Sequence, residues 1–155
     1  MARTLFGEAR GATRGDDSKT RGSHSDAWQE WLAIGWVIRN RAEHPRRWGT
    51  TIRDACFQRT YSRRRKRWIC QFSCYDPGRH RRAVERFPKA APSEMDEVQD
   101  ILRCSAAVLD ATYPDPTKGK TGYVTQRLWD SERCPGWAKA DKDPVVVGDH
   151  VFVTA

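Results

Sequence analysis

The first carboxylate of the chain, Glu8, stands between two glycines in Gly7-Glu8-Ala9-Arg10-Gly11. Ala2, Leu5, Phe6 and Ala9 recur at helical spacing and should face a core; this leaves Glu8 near the boundary of that face, and Gly11 should stop the helix. At a helix C-terminus the negative pole of the peptide dipoles, together with partial burial, favours the form of a carboxyl that holds a proton, so Glu8 is a candidate general acid. On spacing alone, a solvated glutamate beside Arg3 or Arg10 is the commoner outcome. Gln71 and Ser73 add short polar groups around Phe72, a set suited to hydrogen-bonding a polar ligand while a ring packs on it. Tyr123, Trp129 and Trp137 offer flat faces of the kind sugar rings stack on, and they suit an ordinary core equally well. A glycosidase working with two carboxylates needs the second about 5–10 Å from the first. Asp16, Asp17, Asp76, Asp130 and Glu132 are available, and nothing in their spacing selects one.

Two other chemistries have candidate residues. Cys70, Cys74 and His80 lie close together, with Cys104, Cys134 and His150 elsewhere, but the spacing is not that of a zinc knuckle or finger, so no metal and no cofactor is expected. A nucleophilic pair such as Cys74 with His150 has no local motif behind it. The run Arg63-Arg64-Arg65-Lys66-Arg67, flanked by Tyr61 and Trp68, could hold phosphate backbones with aromatic stacking, attract an anionic wall polymer, or form a solvated loop.

These residues need a scaffold, and 155 residues give one domain with room for a core. The net charge of +8 implies an anionic partner or environment without choosing among nucleic acid, membrane surface and cell envelope. No apolar run approaches a membrane span, and the N-terminus lacks a secretory pattern, so cytoplasmic synthesis is expected. Five cysteines, an odd number in a chain this long, point to free thiols. Residues 12–25 read as a long loop that could form a lid. Asp26 is the expected cap of a central core helix over residues 27–42, with Trp28, Trp31, Leu32, Trp36 and Ile38 on its buried side and Gly35 admitting a close helix. Pro45 ends it, and Thr50 or Thr51 caps a short helix carrying Ile52, Ala55 and Cys56. Residues 58–68 read as an exposed loop, and Asp76-Pro77-Gly78 as a turn. Ser93 should cap an amphipathic helix with Met95, Val98, Ile101, Leu102, Ser105, Val108 and Leu109 inward. Tyr123-Val124-Thr125 and the β-branched residues 145–153 should close the domain with a small strand pair. The expected class is α+β, mainly helical, with a small β element near the C-terminus.

The segment Ala2-Arg3-Thr4-Leu5-Phe6-Gly7-Glu8-Ala9-Arg10-Gly11 resembles the opening motif of the cell wall hydrolase family that includes the spore cortex-lytic enzymes and related phage endolysins. Similar pieces follow in the same order: residues 33–41 ending in Asn40-Arg41, Thr51-Ile52 with Cys56-Phe57-Gln58, Gln71-Phe72-Ser73, Asp115-Pro116-Thr117, Pro135-Gly136-Trp137-Ala138 and Val147-Gly148-Asp149-His150-Val151-Phe152. The resemblance implies a lysozyme-like fold, peptidoglycan glycan strands as substrate, and Glu8 as the acid that cleaves between N-acetylmuramic acid and N-acetylglucosamine. It implies a lytic transglycosylase, in which one glutamate protonates the leaving oxygen and then deprotonates the muramic acid 6-hydroxyl; hydrolysis of the muramidase type by the same residue is the alternative. Gln71, Phe72, Ser73, Tyr123 and Trp137 become the expected substrate contacts. Residues 12–25 and 59–69 look lengthened relative to the family, and Gly122 falls where members often carry a histidine. A chain that begins almost on the motif suits a monomeric phage or prophage endolysin, released through a holin, better than a secreted spore enzyme. In that setting residues 63–67 would touch the anionic envelope, and nucleic acid would not be the partner.

Overall fold

The computed structural model describes residues 1–8, 24–63, 66–76, 84–85, 87–89, 92 and 95–155. The expected stop at Gly11, the lid over residues 12–25 apart from its last two positions, the turn at Pro77-Gly78 and the Ser93 cap lie outside the described residues.

Helix α1 (Ala2–Glu8) buries Leu5 and Phe6. The long helix α2 (His24–Ala42) is the centre of the core, and every residue from Trp31 to Ile38 is buried. Its inward face is therefore wider than the stripe of large residues suggests, because Ala33, Ile34 and Val37 are covered too. The helix begins two residues before Asp26, which lies in its first turn instead of at the cap. Short helix α3 (Pro45–Trp48) starts on the proline that cannot continue α2, at the position where a missing N–H costs nothing. Helix α4 (Ile52–Phe57) is capped by Thr51, whose Oγ1 accepts from the Asp54 N–H at 3.0 Å.

Residues 58–68 are not the loop their composition suggests. Strands β1 (Arg59–Ser62) and β2 (Arg67–Cys70) form an antiparallel hairpin, pairing Thr60 with Ile69 and Tyr61 with Trp68. Tyr61 and Trp68 meet edge to face at 5.6 Å, a cross-strand contact that helps a hairpin hold with little burial. A 3₁₀ turn (Ser73–Tyr75) follows.

Helix α5 (Met95–Leu109) packs on α2 where Gly35 leaves room: a Cβ there would lie 2.9 Å from Val108 Cγ2. Val98, Ile101, Cys104, Ser105 and Val108 face inward. Met95, Leu102 and Leu109, expected in the core, are 42 to 50% exposed, because a seven-residue step puts all three on one flank of the helix. Beyond it come β3 (Gly122–Thr125), the short helices α6 (Gln126–Trp129) and α7 (Gly136–Lys139), β4 (Val145–Val147) and β5 (His150–Val153). The expected strand pair is a three-stranded antiparallel sheet in the order β3-β5-β4. Val124, Ala138, Val151 and Val153 make a second small core under it. The domain is thus mainly helical, with two small sheets. Among the described residues no helix is long and apolar enough to cross a membrane.

Candidate active site

Gly7 decides where Glu8 goes. A Cβ on Gly7 would stand 2.5 Å from Cys74 Cβ and 2.7 Å from Val84 Cγ2, so only glycine lets the end of α1 press directly on the 3₁₀ turn. Thr4 Oγ1 and the Tyr75 hydroxyl, 2.8 Å apart, tie the same two elements together. Glu8 Oε1 then accepts from the Cys74 backbone N–H at 2.7 Å and from Ser73 Oγ at 3.2 Å. The Tyr123 hydroxyl, brought from β3, donates to Oε2 at 2.7 Å. Three donors from two elements distant in sequence fix both oxygens of a half-buried carboxylate.

Tyr123 is positioned in turn by a polar network beneath its strand. Asn40, near the end of α2, donates to Asp115 Oδ2 (2.9 Å), to Thr117 Oγ1 (3.3 Å) and to the Lys120 carbonyl (3.0 Å). Asp115 Oδ1 takes the Thr117 N–H and hydroxyl, both at 2.7 Å. The neighbouring Arg41 donates from Nε to the Thr121 carbonyl at 2.6 Å. Its guanidinium lies over the faces of Trp48 and Phe72, at 4.5 and 4.6 Å from the ring centroids. Burial lowers Arg41 to about 10, with the negative charge of Glu8 among the effects opposing the fall, so it stays a cation at neutral pH. Burial, followed by the charge and hydrogen bond of Glu8, pushes the Tyr123 phenol well above its ordinary value. Tyr123 therefore keeps the proton it donates.

These groups line a cleft of about 780 Å³. The hairpin and the turn after it contribute Gln58, Thr60, Gln71 and Ser73, the C-terminal part contributes Tyr123, Thr125, Leu128, Trp137 and His150, and α2 and α3 contribute Arg41, Arg47 and Trp48. Gln71 donates to Thr60 Oγ1 at 2.6 Å, so the hairpin belongs to the cleft wall. Of the side chains singled out in the sequence, Glu8, Gln71, Ser73, Tyr123 and Trp137 meet here. Phe72 does not: it is 1% exposed and forms the floor under Arg41, because alternation along the stretch turns its ring inward between two polar neighbours. Trp129 also stays outside, packed against the second core with Lys139 Nζ 4.1 Å from its ring centre. At Gly122 a Cβ would lie 2.7 Å from Ala155 Cβ and 3.1 Å from Trp137 Cζ3, so the indole occupies the space that a histidine there would need.

Among the described residues Glu8 is the one Asp or Glu lining the cleft. Asp130 and Glu132 are exposed elsewhere, and Asp76 is committed to the Cys70 N–H at 3.0 Å; Asp16 and Asp17 lie outside the described residues. All five cysteines are free. Burial, then the charge of Glu8, pushes the Cys74 thiol far above its usual range, which removes the thiolate a Cys74–His150 nucleophile would need. Among the described residues no three metal-ligating side chains come together.

Arg41, Arg47, Trp48 and Thr60 were not singled out as site residues from the sequence, and His150 was weighed only as a partner of Cys74 or a metal ligand. A signal was present for Arg41 and His150, since both sit in the segments that resemble the family. The sequence model for Cell Wall Hydrolase matches residues 26–153. That span holds every cleft residue named here except Gly7 and Glu8. No curated protein and no solved structure matches the chain. With the greater part of its length matched, the chain belongs to the cell wall hydrolase family.

Proposed function

We propose that this member of the cell wall hydrolase family cleaves the N-acetylmuramic acid–N-acetylglucosamine bond of peptidoglycan as a lytic transglycosylase on a lysozyme-like scaffold, with Glu8 as the acid and then the base. The observation that carries the reading is that Glu8, among the described residues, is the one acidic side chain in the cleft and has both oxygens held by donors. A single carboxylate suffices when the muramic acid 6-hydroxyl is the nucleophile, because the proton given to the leaving oxygen is replaced from that hydroxyl. Trp137, 48% exposed at the cleft edge, supplies a face for a sugar ring, and Gln71 and Ser73 supply polar contacts. Tyr123 holds Glu8 in line and stays neutral while the carboxyl changes its proton.

The test is digestion of purified sacculi by the wild-type protein and by Glu8→Gln, with mass spectrometry of the fragments. The reading expects 1,6-anhydromuramic ends from the wild type and no soluble fragments from the variant. Reducing ends would assign hydrolysis of the muramidase type; undiminished digestion by Glu8→Gln would remove Glu8 from the mechanism. In the same reading the protein is a phage or prophage endolysin, monomeric, made in the cytoplasm and delivered to the wall through a holin. Expression in a bacterial host should then cause lysis only when a holin is co-expressed.

A further inference from the structure

The hairpin that walls the cleft has a second face the reaction does not use. Gln58, Thr60 and Gln71 point to the cleft, so by strand alternation the pair Tyr61 and Trp68 points the other way. The two rings are 49% and 61% exposed. Around them the chain from position 58 to 70 has six basic residues and no acidic one. Arg63 and Lys66 stand exposed at the turn and Arg59 begins β1 on the same face as the two rings, while Arg67, paired with Ser62, falls on the side of Thr60; Lys66 takes the left-handed conformation (φ 51°) that closes the turn.

We propose that this outer hairpin face docks on a bilayer of anionic phospholipid. Water-exposed Trp and Tyr beside cations is the composition that settles at the headgroup level: the rings enter the boundary of the acyl chains while the cations meet phosphates. Charge complementarity selects an anionic surface, and the rings select one with an apolar layer beneath it. A single strand of nucleic acid would call for cations spaced along a groove with bases stacked between them. Here the described cations of this face stand apart, Arg63 and Lys66 at the tip and Arg59 at the start of β1, and the rings between them are turned edge to face, 70° apart, with no parallel faces to hold a base. Docking by this face leaves the cleft, on the opposite side of the ribbon, open to its substrate. The proposal assumes nothing about the bond that is cleaved, and vesicle binding is read without catalysis.

The experiment is sedimentation of the full chain with vesicles of phosphatidylglycerol and phosphatidylcholine in equal parts, compared with phosphatidylcholine alone. The wild type should bind the anionic vesicles only. The double substitution Tyr61→Ala with Trp68→Ala should weaken binding about tenfold. A second double substitution, Arg63→Gln with Lys66→Gln, should weaken it about 25-fold, at about fivefold for each cation. Both variants should digest soluble peptidoglycan fragments at the wild-type rate. A gentler measurement guards against misfolding: brominated lipid should quench part of the wild-type fluorescence, and that part should vanish in Trp68→Phe. Equal binding to neutral and anionic vesicles would overturn the proposal. So would anionic binding that survives loss of both rings, which would reduce the contact to charge alone. Loss of affinity for a DNA oligonucleotide or for sacculi, with vesicle binding intact, would reassign the face to nucleic acid or glycan.

Discussion

Glu8 and Glu30 are both helical glutamates, and the fold treats them in opposite ways. Glu30 is 4% exposed, with Oε1 2.8 Å from His150 Nδ1 and its other oxygen against the backbone at Gly148, where a Cβ would stand 2.7 Å away. It is enclosed by the turn between β4 and β5, and Gly148 (φ 54°) is what allows that turn to close over it. Glu8 is half-buried at the edge of a cleft, with both oxygens bonded and the cleft open in front of it. His150 links the two, since it contacts Glu30 and its ring stands edge-on to Tyr123 at 5.1 Å. A carboxylate can be held in either setting; chemistry needs one that a substrate can also reach. Glu30 should therefore matter to stability and Glu8 to turnover.

The largest expected effect breaks the comparison at its chemical end. Glu8→Gln keeps the volume of the side chain and removes the proton donor, so turnover on purified sacculi should fall by about 10³-fold while the melting temperature stays within a few degrees. A large loss of stability in that variant would make Glu8 a structural residue like Glu30. Gly7→Ala tests placement instead of chemistry. Its Cβ collides with Cys74 and Val84, so α1 has to lift from the 3₁₀ turn and carry Glu8 away from the Cys74 N–H. A displacement of about 1 Å is enough for a loss of about a hundredfold in turnover. Unchanged activity would mean that the turn does not position the carboxylate.

Glu30→Gln should give the opposite profile. Weakening a buried polar contact destabilises by about 1–3 kcal/mol, read from chemical denaturation, while the folded fraction keeps turnover within about tenfold of wild type. Tyr123→Phe lies between the two. It deletes one hydrogen bond to Glu8 and leaves the ring contacts with His150 and Phe152, so turnover should fall about 10- to 100-fold with little change in stability. A Tyr123→Phe enzyme as active as wild type would show that the two remaining donors hold Glu8 by themselves.

Local signals made several elements legible. Thr51 caps α4, Gly35 admits α5, and the β-branched run near the C-terminus forms strands, because each of these depends on neighbours in sequence or on one face. The hairpin was hidden: arginines crowd it, and with β1 facing solvent over most of its length there is no alternation of apolar and polar residues to read. Phe72 shows the converse error, where the composition around a ring suggests ligand contact and only the fold says which way it turns. The site itself was legible as single residues and not as a set. The donors to Glu8 come from positions 65, 66 and 115 residues along the chain, and no local spacing encodes that meeting. Arg41 reads as a solvated cation at a helix end until Trp48 and Phe72 are seen on its faces.

A third carboxylate sharpens what separates the first two. Asp141 has three donors, as Glu8 does: Oδ2 accepts from the Thr154 N–H at 2.5 Å and from Lys120 Nζ at 2.9 Å, and Oδ1 from the Asp143 N–H at 2.8 Å. Its side chain and that of Lys120 are each less than a tenth exposed, and neither opens on a cleft. Burial acts to raise the Asp141 carboxyl, but the Thr154 amide, Lys120 and the Asp143 amide outweigh it and hold the group well below its ordinary 3.8. A carboxyl with a depressed value in the folded state binds its proton more readily when unfolded, so it adds stability above the ordinary value and loses it as the pH falls below. Asp141→Asn should therefore cost about 2 kcal/mol at neutral pH, in keeping with hydrogen bonds to a charged group, and the gap to wild type should begin to narrow as the pH is lowered past 4. Denaturation curves at pH 7 and at pH 3 measure it, with turnover at neutral pH left near the wild-type rate. A gap that stays constant with pH would mean that Asp141 acts by shape and not by charge. A matching loss of turnover would mean that the strand ends it ties together reach Tyr123 and, through it, Glu8.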